Sequence, residues 1–263
     1  MKTKLICFSI VLLTGFFTFL ISILPQPDKD YTTIKLGHSW EKYDTALFRE
    51  LQSVDDILAA ADARFAPEER TSLKYFEYID ELVSRRFYHD YSHYSFENPL
   101  AMAAGRLAWN HLSAIVIPDD IMKHPMAACS QQAVVLMECF KRRGIDYRKV
   151  GFAHHYTVEA KINGKWYFFD PNMEPEFDNR RTSYEELVAT SRIDSIYAHT
   201  QEPLQAMDER LADQHYGAVN APPAPNATIF HKMGFFLVSP TFMIALLAAF
   251  IFLLNTGRAG LKD

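Results

Sequence analysis

Two long apolar runs lie near the ends of the chain, at residues 5–24 and 235–254. About 20 apolar residues in a helix are enough to cross the hydrocarbon core of a bilayer. The pattern therefore predicts a transmembrane anchor over residues 1–25 and a second transmembrane helix over 234–255. A short tail at 256–263 follows the second span.

Charges beside these runs predict a topology. Lys2 and Lys4 precede the first run, and Arg258 and Lys262 follow the second. Because positive flanks are retained in the cytoplasm, both termini are expected there and the intervening domain on the opposite side of the membrane. In a bacterial chain this is the periplasmic side of the inner membrane. A cleaved signal peptide is the competing interpretation of the first run, but residues 21–24 lack a small-residue cleavage site, which favours a retained anchor.

Helical spacing dominates the first part of the chain between the two runs. Helices are predicted from Ser39 or Asp44 to about residue 64, from Pro67 through positions 73–83, and from Pro99 to about residue 113. Aromatic and polar residues at 88–98 predict a loop before the third of these helices. Residues 26–94 are therefore expected to form a helical N-terminal extension.

The pattern changes after Pro125. A helix is predicted at residues 126–143, ended by Gly144, and strands are predicted at 147–152, 155–162 and 165–169. Asn163-Gly164 between the last two strands is a strong signal for a two-residue hairpin turn. The sequence therefore predicts an α+β domain over residues 95–216, followed by a proline-rich linker at 217–233.

Composition narrows the classes of partner. The chain has 263 residues and a formal net charge of −5, which gives no support for binding to nucleic acid. Its three cysteines do not suggest a disulfide framework. Cys7 lies in the first apolar run, and Cys129 and Cys139 are about 15 Å apart on one predicted helix, too far for a disulfide.

Cys129 is the first candidate for chemistry because it lies near the start of its predicted helix. Unpaired N–H groups and the helix dipole stabilise a thiolate at such a position. The two-residue turn pairs Ile162 with Lys165, which puts His155 diagonally across from Asp170 on one face of the sheet. A thiol, an imidazole that accepts its proton and a carboxylate that orients the imidazole form a nucleophilic triad. Taken singly, each residue also has a structural interpretation: a buried thiol, a core histidine and a turn aspartate.

Three blocks of sequence surround these positions. They are Cys129 with Ala133, Gly144-Ile145 and Arg148; His155-Tyr156-Thr157-Val158-Glu159; and Trp166 with Asp170-Pro171. In spacing and order, the blocks resemble the transglutaminase-like superfamily of papain-fold cysteine enzymes, over about residues 95–200. The resemblance implies a papain-like core, in which a central helix carrying the cysteine packs on an antiparallel sheet. It also implies catalysis by Cys129, His155 and Asp170 without a cofactor.

Four positions depart from the family pattern. Ala127 stands in place of a glycine, Gln132 of an aromatic residue, Thr157 of a tryptophan and Asp146 of a proline. None of them is a triad residue, so they leave the substrate preference open.

An oxyanion site is expected to include the backbone N–H of Cys129. The fold to which the sequence is similar takes a second donor from upstream in the chain. Trp109, Asn110 and His111 are the candidates for that donor.

Other polar residues are secondary candidates. His154 precedes the proposed base, but on an extended strand it points to the opposite face. Glu159 is expected either to support the triad or to be solvated. His89, Asp90 and His93 include two histidines with the i, i+4 spacing of a metal pair, but no third ligand is evident, so no metal site is predicted.

The sequence thus predicts a membrane-anchored thiol hydrolase or acyl transferase that acts on an amide of a protein or peptide through a thioester. Hydrolysis and cross-linking both remain open, because water and an amine can resolve the same thioester. A non-catalytic scaffold of a cell-envelope or polysaccharide assembly system is one alternative. A redox-sensing thiol is another.

Overall fold

The structure, a computed structural model, describes residues 36–178, 180–201 and 204–259, together with positions 6, 9, 12, 13, 15–20 and 23 of the first apolar run. The chain is an α+β protein with a four-stranded antiparallel sheet, as the sequence predicts. It divides into two compact units. We name Asp30–Ser92 with Ile115–Pro223 the sheet unit, and Met1–Lys29 with His93–Ala114 and Ala224–Asp263 the helical unit.

Most of the described elements are short helices. In chain order the helices and strands are α1 (Thr45–Glu50), α2 (Val54–Arg64), α3 (Leu73–Arg86), α4 (Pro99–Leu107), α5 (Pro118–Ile121), α6 (Cys129–Arg142), β1 (Asp146–Gly151), β2 (Tyr156–Ile162), β3 (Lys165–Phe169), α7 (Tyr184–Ala189), α8 (Ile193–Ile196), α9 (Leu204–Arg210), β4 (His215–Tyr216), α10 (Pro225–Leu237) and α11 (Pro240–Ala259). Short 3₁₀ helices occupy Pro67–Glu69, Asn110–Leu112 and Ala198–Thr200.

The long helix predicted at the start of the sheet unit is divided into α1 and α2. Asp44 caps α1, and Ser53 starts α2 with a capping box in which Ser53 and Asp56 each accept a backbone N–H of the other. These side chains satisfy the free donors of a helix start, so they favour a new helix over continuation of the first. The helix predicted from Pro67 also begins later, at Leu73.

Helix α6 is the central element of the sheet unit. It packs against β1 and β2 and against α2, α3 and α5. It begins at Cys129 instead of residue 126, because Ala128 has extended backbone angles and acts as its N-cap. It is followed, as predicted, by Gly144, whose φ of 67° is the left-handed conformation that ends many helices.

The sheet has the strand order β3-β2-β1-β4, with antiparallel pairing throughout. The turn at Asn163-Gly164 pairs Ile162 with Lys165 and Glu159 with Phe168, which confirms the predicted register. Both turn residues have positive φ, 50° and 81°, as a type I′ turn requires. Strand β4, which pairs with the end of β1, was not predicted, because two residues are too few to show an alternating pattern.

Helices cover both faces of the sheet. On one face, the rings of Phe169 and Phe140 of α6 are 5.2 Å apart. On the other, Val150 and Phe168 join an apolar cluster with residues that include Leu187 of α7. Polar residues at the open end of the hairpin are therefore enclosed in a medium of low dielectric constant, where electrostatic interactions are strong.

The helical unit contains α4, α10 and α11. The helix predicted from Pro99 starts there but ends at Leu107. Asn98, its buried N-cap, also donates from Nδ2 to the carbonyl of His231 in α10, at 3.0 Å. Helix α10 begins at Pro225, so the second half of the predicted linker is helical and not extended.

The second apolar run is not one continuous helix, so the prediction for residues 234–255 is wrong in this respect. Helix α10 ends at Leu237, and α11 begins at Pro240. Proline has no N–H to continue the helical hydrogen bonds, and the Ser239 hydroxyl accepts the N–H of Phe242 at 3.2 Å. A new helix start is therefore favoured at this point.

Most of the first apolar run, predicted as an anchor over residues 1–25, lies outside the described residues, as does the end of the predicted tail after residue 259. Within the described part of the chain, no helix by itself has the length and apolarity to cross a membrane. The segments Pro225–Leu237 and Pro240–Phe252 meet that criterion only as a pair, bent by 58°.

Candidate active site

Cys129 is the first residue of α6. The N–H groups of the first helical turn have no partners within the helix and carry partial positive charge. The residue is partly exposed and lines a pocket of about 210 Å³. Cys139 of the same helix is fully buried, and burial raises the pKa of its thiol. Of these two thiols, only Cys129 is therefore accessible, and Cys7 lies outside the described residues.

The hairpin brings His155 and Asp170 together. His155 immediately precedes β2 and Asp170 immediately follows β3, so both lie at the open end of the hairpin. The imidazole Nε2 is 2.7 Å from the carboxylate Oδ2, and the two side chains are 1% and 0% exposed. The neighbouring His154 is exposed. The predicted contact between the imidazole and the carboxylate is thus present.

The Asp170 carboxylate is held by donors on both oxygens. Oδ2 accepts hydrogen bonds from His155 and from the Tyr197 hydroxyl, each at 2.7 Å. Oδ1 accepts the backbone N–H groups of Asn172 and Met173, each at 3.2 Å. Burial raises the pKa of a carboxyl, but the imidazole and these donors outweigh it, so the pKa of Asp170 is below its ordinary value. Asp170 is therefore an anion of fixed orientation.

The His155 imidazole is stabilised in its charged form. Burial lowers its pKa, but the charge of Asp170, their hydrogen bond and the adjacent Cys129 thiol together raise the pKa above the ordinary value. Its Nε2 is hydrogen-bonded to Oδ2 of Asp170. Nδ1 has no hydrogen-bond partner among the described residues, and it is the nitrogen free to face the adjacent thiol. Nδ1 is thus the ring nitrogen left to exchange a proton with the thiol.

The pocket in front of the thiol is lined by several segments of the sheet unit: His38 and Trp40, residues 89–91, 128–129 and 172–173, and Arg210. Tyr91 is the aromatic residue of this set that interacts with the thiol. Burial, and then the charge of Cys129, raise the pKa of its phenol, which lies within hydrogen-bonding reach of Ser130. A phenol that stays protonated can donate a hydrogen bond to a group bound beside the thiol.

Buried Gln131 fixes the segment that carries Tyr91 against the start of α6. Its Oε1 accepts the N–H groups of Ser92 and Ala128, at 3.0 and 3.2 Å. Its Nε2 donates to the carbonyls of Ser92 and Ile115, at 2.9 and 2.8 Å. Two acceptor and two donor sites of the side-chain amide are therefore used. Sequence reasoning gave no role to this residue or to Tyr91, although the aromatic and polar loop at 88–98 was the available signal.

The predicted oxyanion residues Trp109, Asn110 and His111 do not belong to the unit that contains Cys129. They lie in the helical unit, where Asn110–Leu112 forms a 3₁₀ helix and Trp109 is 62% exposed.

Glu159 is buried and not solvated. Its Oε2 is 2.7 Å from Nη2 of Arg148, and its Oε1 accepts the N–H of Tyr184 at 2.7 Å. The carboxylate therefore connects β2 with β1 and with the start of α7. Its role is to hold the sheet and helix together, in support of the strand that leads from His155.

The i, i+4 spacing of His89 and His93 would pair them only on a helix. The 88–98 segment is not helical, and His93 belongs to the helical unit, where its Nδ1 is 3.0 Å from Ser113 Oγ. His89 instead lies beside His38 and Glu41, and the ligand atoms of these three residues converge. The structure thus contains a group able to hold a metal ion that the sequence reasoning did not identify.

A second buried carboxyl, Asp80 of α3, lies close enough to Asp170 for their charges to interact. Its Oδ2 is 3.1 Å from Nη2 of Arg181, and the two side chains are 8% and 9% exposed. Burial raises the pKa of Asp80 to about 7, Arg181 opposes this increase, and the charge of Asp170 adds to it. Nothing in the sequence distinguishes this residue from an acid on a helix surface.

Comparisons of the chain with protein-family models, with curated proteins and with solved structures gave no match. The function must therefore be inferred from the motifs of the chain and from the geometry of the site.

Proposed function

We propose that this chain is a transglutaminase-like cysteine enzyme, a thiol hydrolase or acyl transferase that acts on an amide of a protein or peptide. The observation that carries the proposal is the buried 2.7 Å contact between His155 Nε2 and Asp170 Oδ2, next to the Cys129 thiol at the start of α6. The order of the three sequence blocks supports the same assignment. A papain-like core, with α6 packed on the sheet, is part of the proposal.

The first half-reaction transfers an acyl group to sulfur. Nδ1 of His155 takes the thiol proton of Cys129, and the thiolate attacks the carbonyl carbon of the amide. The carbon–nitrogen bond then breaks as the imidazolium returns its proton to the leaving amine, and an acyl thioester remains. Asp170 accepts the Nε2 hydrogen bond and stabilises the imidazolium throughout.

The tetrahedral intermediate requires hydrogen-bond donors toward its oxyanion. The backbone N–H of Cys129, in the first turn of α6, supplies one. We assign the second to the phenol of Tyr91 and not to the three upstream candidates in the helical unit, because Tyr91 lines the same pocket as the thiol. Gln131 holds this segment, so the donor is positioned before the substrate binds.

The second half-reaction resolves the thioester. A water molecule activated by His155 gives hydrolysis, and a primary amine of a second substrate gives acyl transfer. Both nucleophiles reach the thioester from the pocket, and both leave the thiol of Cys129 free at the end of the cycle. The proposal covers both outcomes.

We also propose that the chain is held in a membrane, with both termini in the cytoplasm and the sheet unit on the opposite side, which is the periplasm in a bacterium. Exposed apolar side chains of α11 support this, since Ile244 is 69% and Phe252 is 67% exposed. Apolar surface of this kind is typical of contact with lipid or with a protein partner. The bent pair of α10 and α11 is then the second membrane segment.

The pH dependence of Cys129 alkylation in the full-length chain tests the enzyme proposal. With iodoacetamide, we expect the rate at pH 6 to stay within about tenfold of the rate at pH 8.5, because the imidazolium stabilises a thiolate. In His155→Ala, we expect the rate at pH 6 to be about 100-fold below the rate at pH 8.5, as for a free cysteine thiol that titrates near pH 8.5. Mass spectrometry of the labelled peptide separates Cys129 from the other cysteines.

His154→Ala is the matched control, because this histidine is adjacent in sequence but exposed. We expect it to keep the wild-type profile. If the wild type and His155→Ala share the profile of an ordinary thiol, the enzyme proposal is refuted and a non-catalytic scaffold is favoured.

A further inference from the structure

Two imidazoles and one carboxylate converge at the edge of the Cys129 pocket, within the sheet unit. The ligand atoms of His38, Glu41 and His89 all lie within 4.8 Å of one another. Around a tetrahedral ion with bonds of about 2.1 Å, ligand atoms are roughly 3.4 Å apart. The separations of the three groups are therefore close to those of a tetrahedral ligand set.

Backbone N–H groups of His38 and His89 hold the carboxylate of Glu41. Its side chain is 2% exposed, Oε1 accepts the N–H of His38 at 3.0 Å, and Oε2 accepts the N–H of His89 at 3.3 Å. Each carboxylate oxygen keeps a further lone pair. Oε1 also lies 3.6 Å from Nδ1 of the His89 ring. The carboxylate is thus oriented toward the histidines and still able to bind an ion.

The His89 imidazole has a ring nitrogen that could bind a metal ion. Its Nε2 is buried and has no hydrogen-bond partner among the described residues. Its Nδ1 lies 3.6 Å from Oε1 of Glu41, so the ring is held beside the carboxylate while Nε2 stays available to an ion. Trp40 is stacked on His38 at 5.0 Å and lies edge-on to His89 at 5.1 Å, which restricts both rings.

We propose that His38, Glu41 and His89 form a binding site for a transition-metal ion, with Zn²⁺ as the ion that the donor set favours. Two imidazole nitrogens and one carboxylate oxygen are a ligand set that zinc accepts in proteins while it keeps a fourth position open. His38 and His89 line the same pocket as Cys129, so an ion held by them would lie at the edge of that pocket. A bound ion narrows the pocket and slows the reaction of the thiol with any reagent.

This inference goes beyond the proposed hydrolase or transferase activity, because metal binding does not require Cys129 to be catalytic. An ion at this site regulates access to the thiol whatever the thiol does. Metal binding tests this site, and the pH dependence of Cys129 alkylation tests the enzyme proposal, so either can fail while the other holds.

Binding of Co²⁺ and Zn²⁺ to the metal-free, full-length chain tests the site. Visible absorption follows Co²⁺, and calorimetry follows its displacement by Zn²⁺. We expect one ion per chain, and we expect His38→Ala and His89→Ala each to weaken the affinity by at least about tenfold. His38→Ala is decisive because the side chain is exposed and its removal leaves the core intact. Glu41→Gln, which keeps an oxygen acceptor for the backbone, is expected to weaken binding as well.

Two further variants separate this site from adventitious binding. We expect His154→Ala and Cys129→Ala to keep the one-to-one stoichiometry. We also expect saturating Zn²⁺ to slow Cys129 alkylation by about tenfold or more in the wild type and not in His38→Ala. Unchanged binding in His38→Ala, loss of binding only in Cys129→Ala, or binding without slower alkylation overturns the proposal.

Discussion

Asp170 has a role that a neutral side chain of the same shape cannot fill. Its Oδ2 is 2.7 Å from both His155 Nε2 and the Tyr197 hydroxyl. An asparagine carries no charge to stabilise the imidazolium, and its amide N–H₂ opposes at least one of the existing donors. We therefore expect Asp170→Asn to slow alkylation of Cys129 at pH 6 by about tenfold or more. Site-resolved labelling of the full-length chain measures this rate.

Tyr197→Phe is the control for that substitution. It removes one donor from Asp170 but leaves the carboxylate and its contact with His155 in place. We expect a smaller decrease in the alkylation rate than in Asp170→Asn. Equal rates in the wild type and Asp170→Asn contradict the assigned role of the carboxylate.

At the scale of elements, the β2–β3 hairpin decides whether the base and its carboxylate meet. Gly164 has a φ of 81°, and a methyl group added there would contact no atom within 4 Å. The cost of a side chain at this position is therefore backbone strain alone. We expect Gly164→Ala to lower the free energy of unfolding by about 1 kcal/mol and Gly164→Asn by less, because asparagine tolerates left-handed angles better. Urea denaturation measures both.

Gly144 after α6 is the comparison for this prediction. Its φ is 67°, and its surroundings are equally open. Gly144→Ala is therefore expected to cost about as much as Gly164→Ala. If Gly144→Ala lowers the free energy of unfolding and Gly164→Ala does not, the turn accepts a side chain without strain and the prediction is wrong.

At the scale of the whole molecule, buried charge makes stability depend on pH. Burial raises the pKa of Asp80 to about 7, against about 3.9 in an unfolded chain. The folded protein therefore binds this proton more tightly, and stability is lost as the pH rises between these two values. We expect the wild type to lose about 2 kcal/mol between pH 4.5 and 6.5 from this residue, and Asp80→Asn to remove that decrease.

Two other buried groups change the stability in different pH ranges, and Glu77 offers a control variant. Because the pKa of Asp170 is lowered, this residue stabilises the fold at every pH above its pKa in the unfolded chain, and the stabilisation is lost only in stronger acid. The raised pKa of His155 stabilises the fold fully below its unfolded value of about 6.5, and this stabilisation is lost only as the pH rises above that value. Glu77, which also pairs with Arg181, is 35% exposed, so Glu77→Gln is the matched control and is expected to keep the wild-type slope. The same slope in the wild type and Asp80→Asn contradicts the prediction.

Membrane attachment is the second property of the whole molecule. We expect the full-length chain to remain in the membrane fraction after washing with alkaline carbonate, because apolar helices in the hydrocarbon core resist it. A chain that ends before Pro225 tests the contribution of α10 and α11, and fractionation with immunoblotting measures both forms. Release of the full-length chain by carbonate contradicts the membrane proposal.

The sequence by itself determined the features that depend on neighbours along the chain. Asn163-Gly164 fixed the hairpin register, and the register puts His155 beside Asp170, because turn chemistry acts over a few residues. Proline and glycine flanking α6 marked its extent to within a few residues, which put Cys129 at a helix start. The division of the first long helix depended on capping contacts at Ser53, which hydrophobic spacing does not report.

Only the tertiary structure decided which distant residues surround that site. Tyr91, whose neighbour Ser92 is bonded to Gln131, and the histidines His38 and His89 reach the pocket from segments far from Cys129 in sequence. The predicted oxyanion residues fall in the helical unit and Cys129 in the sheet unit. A polar residue has the same chemical identity on a surface as in a core, so hydrophobic periodicity does not report its environment. Burial and its partners arise only when separate segments pack together, and these set the charge, orientation and accessibility on which the chemistry depends.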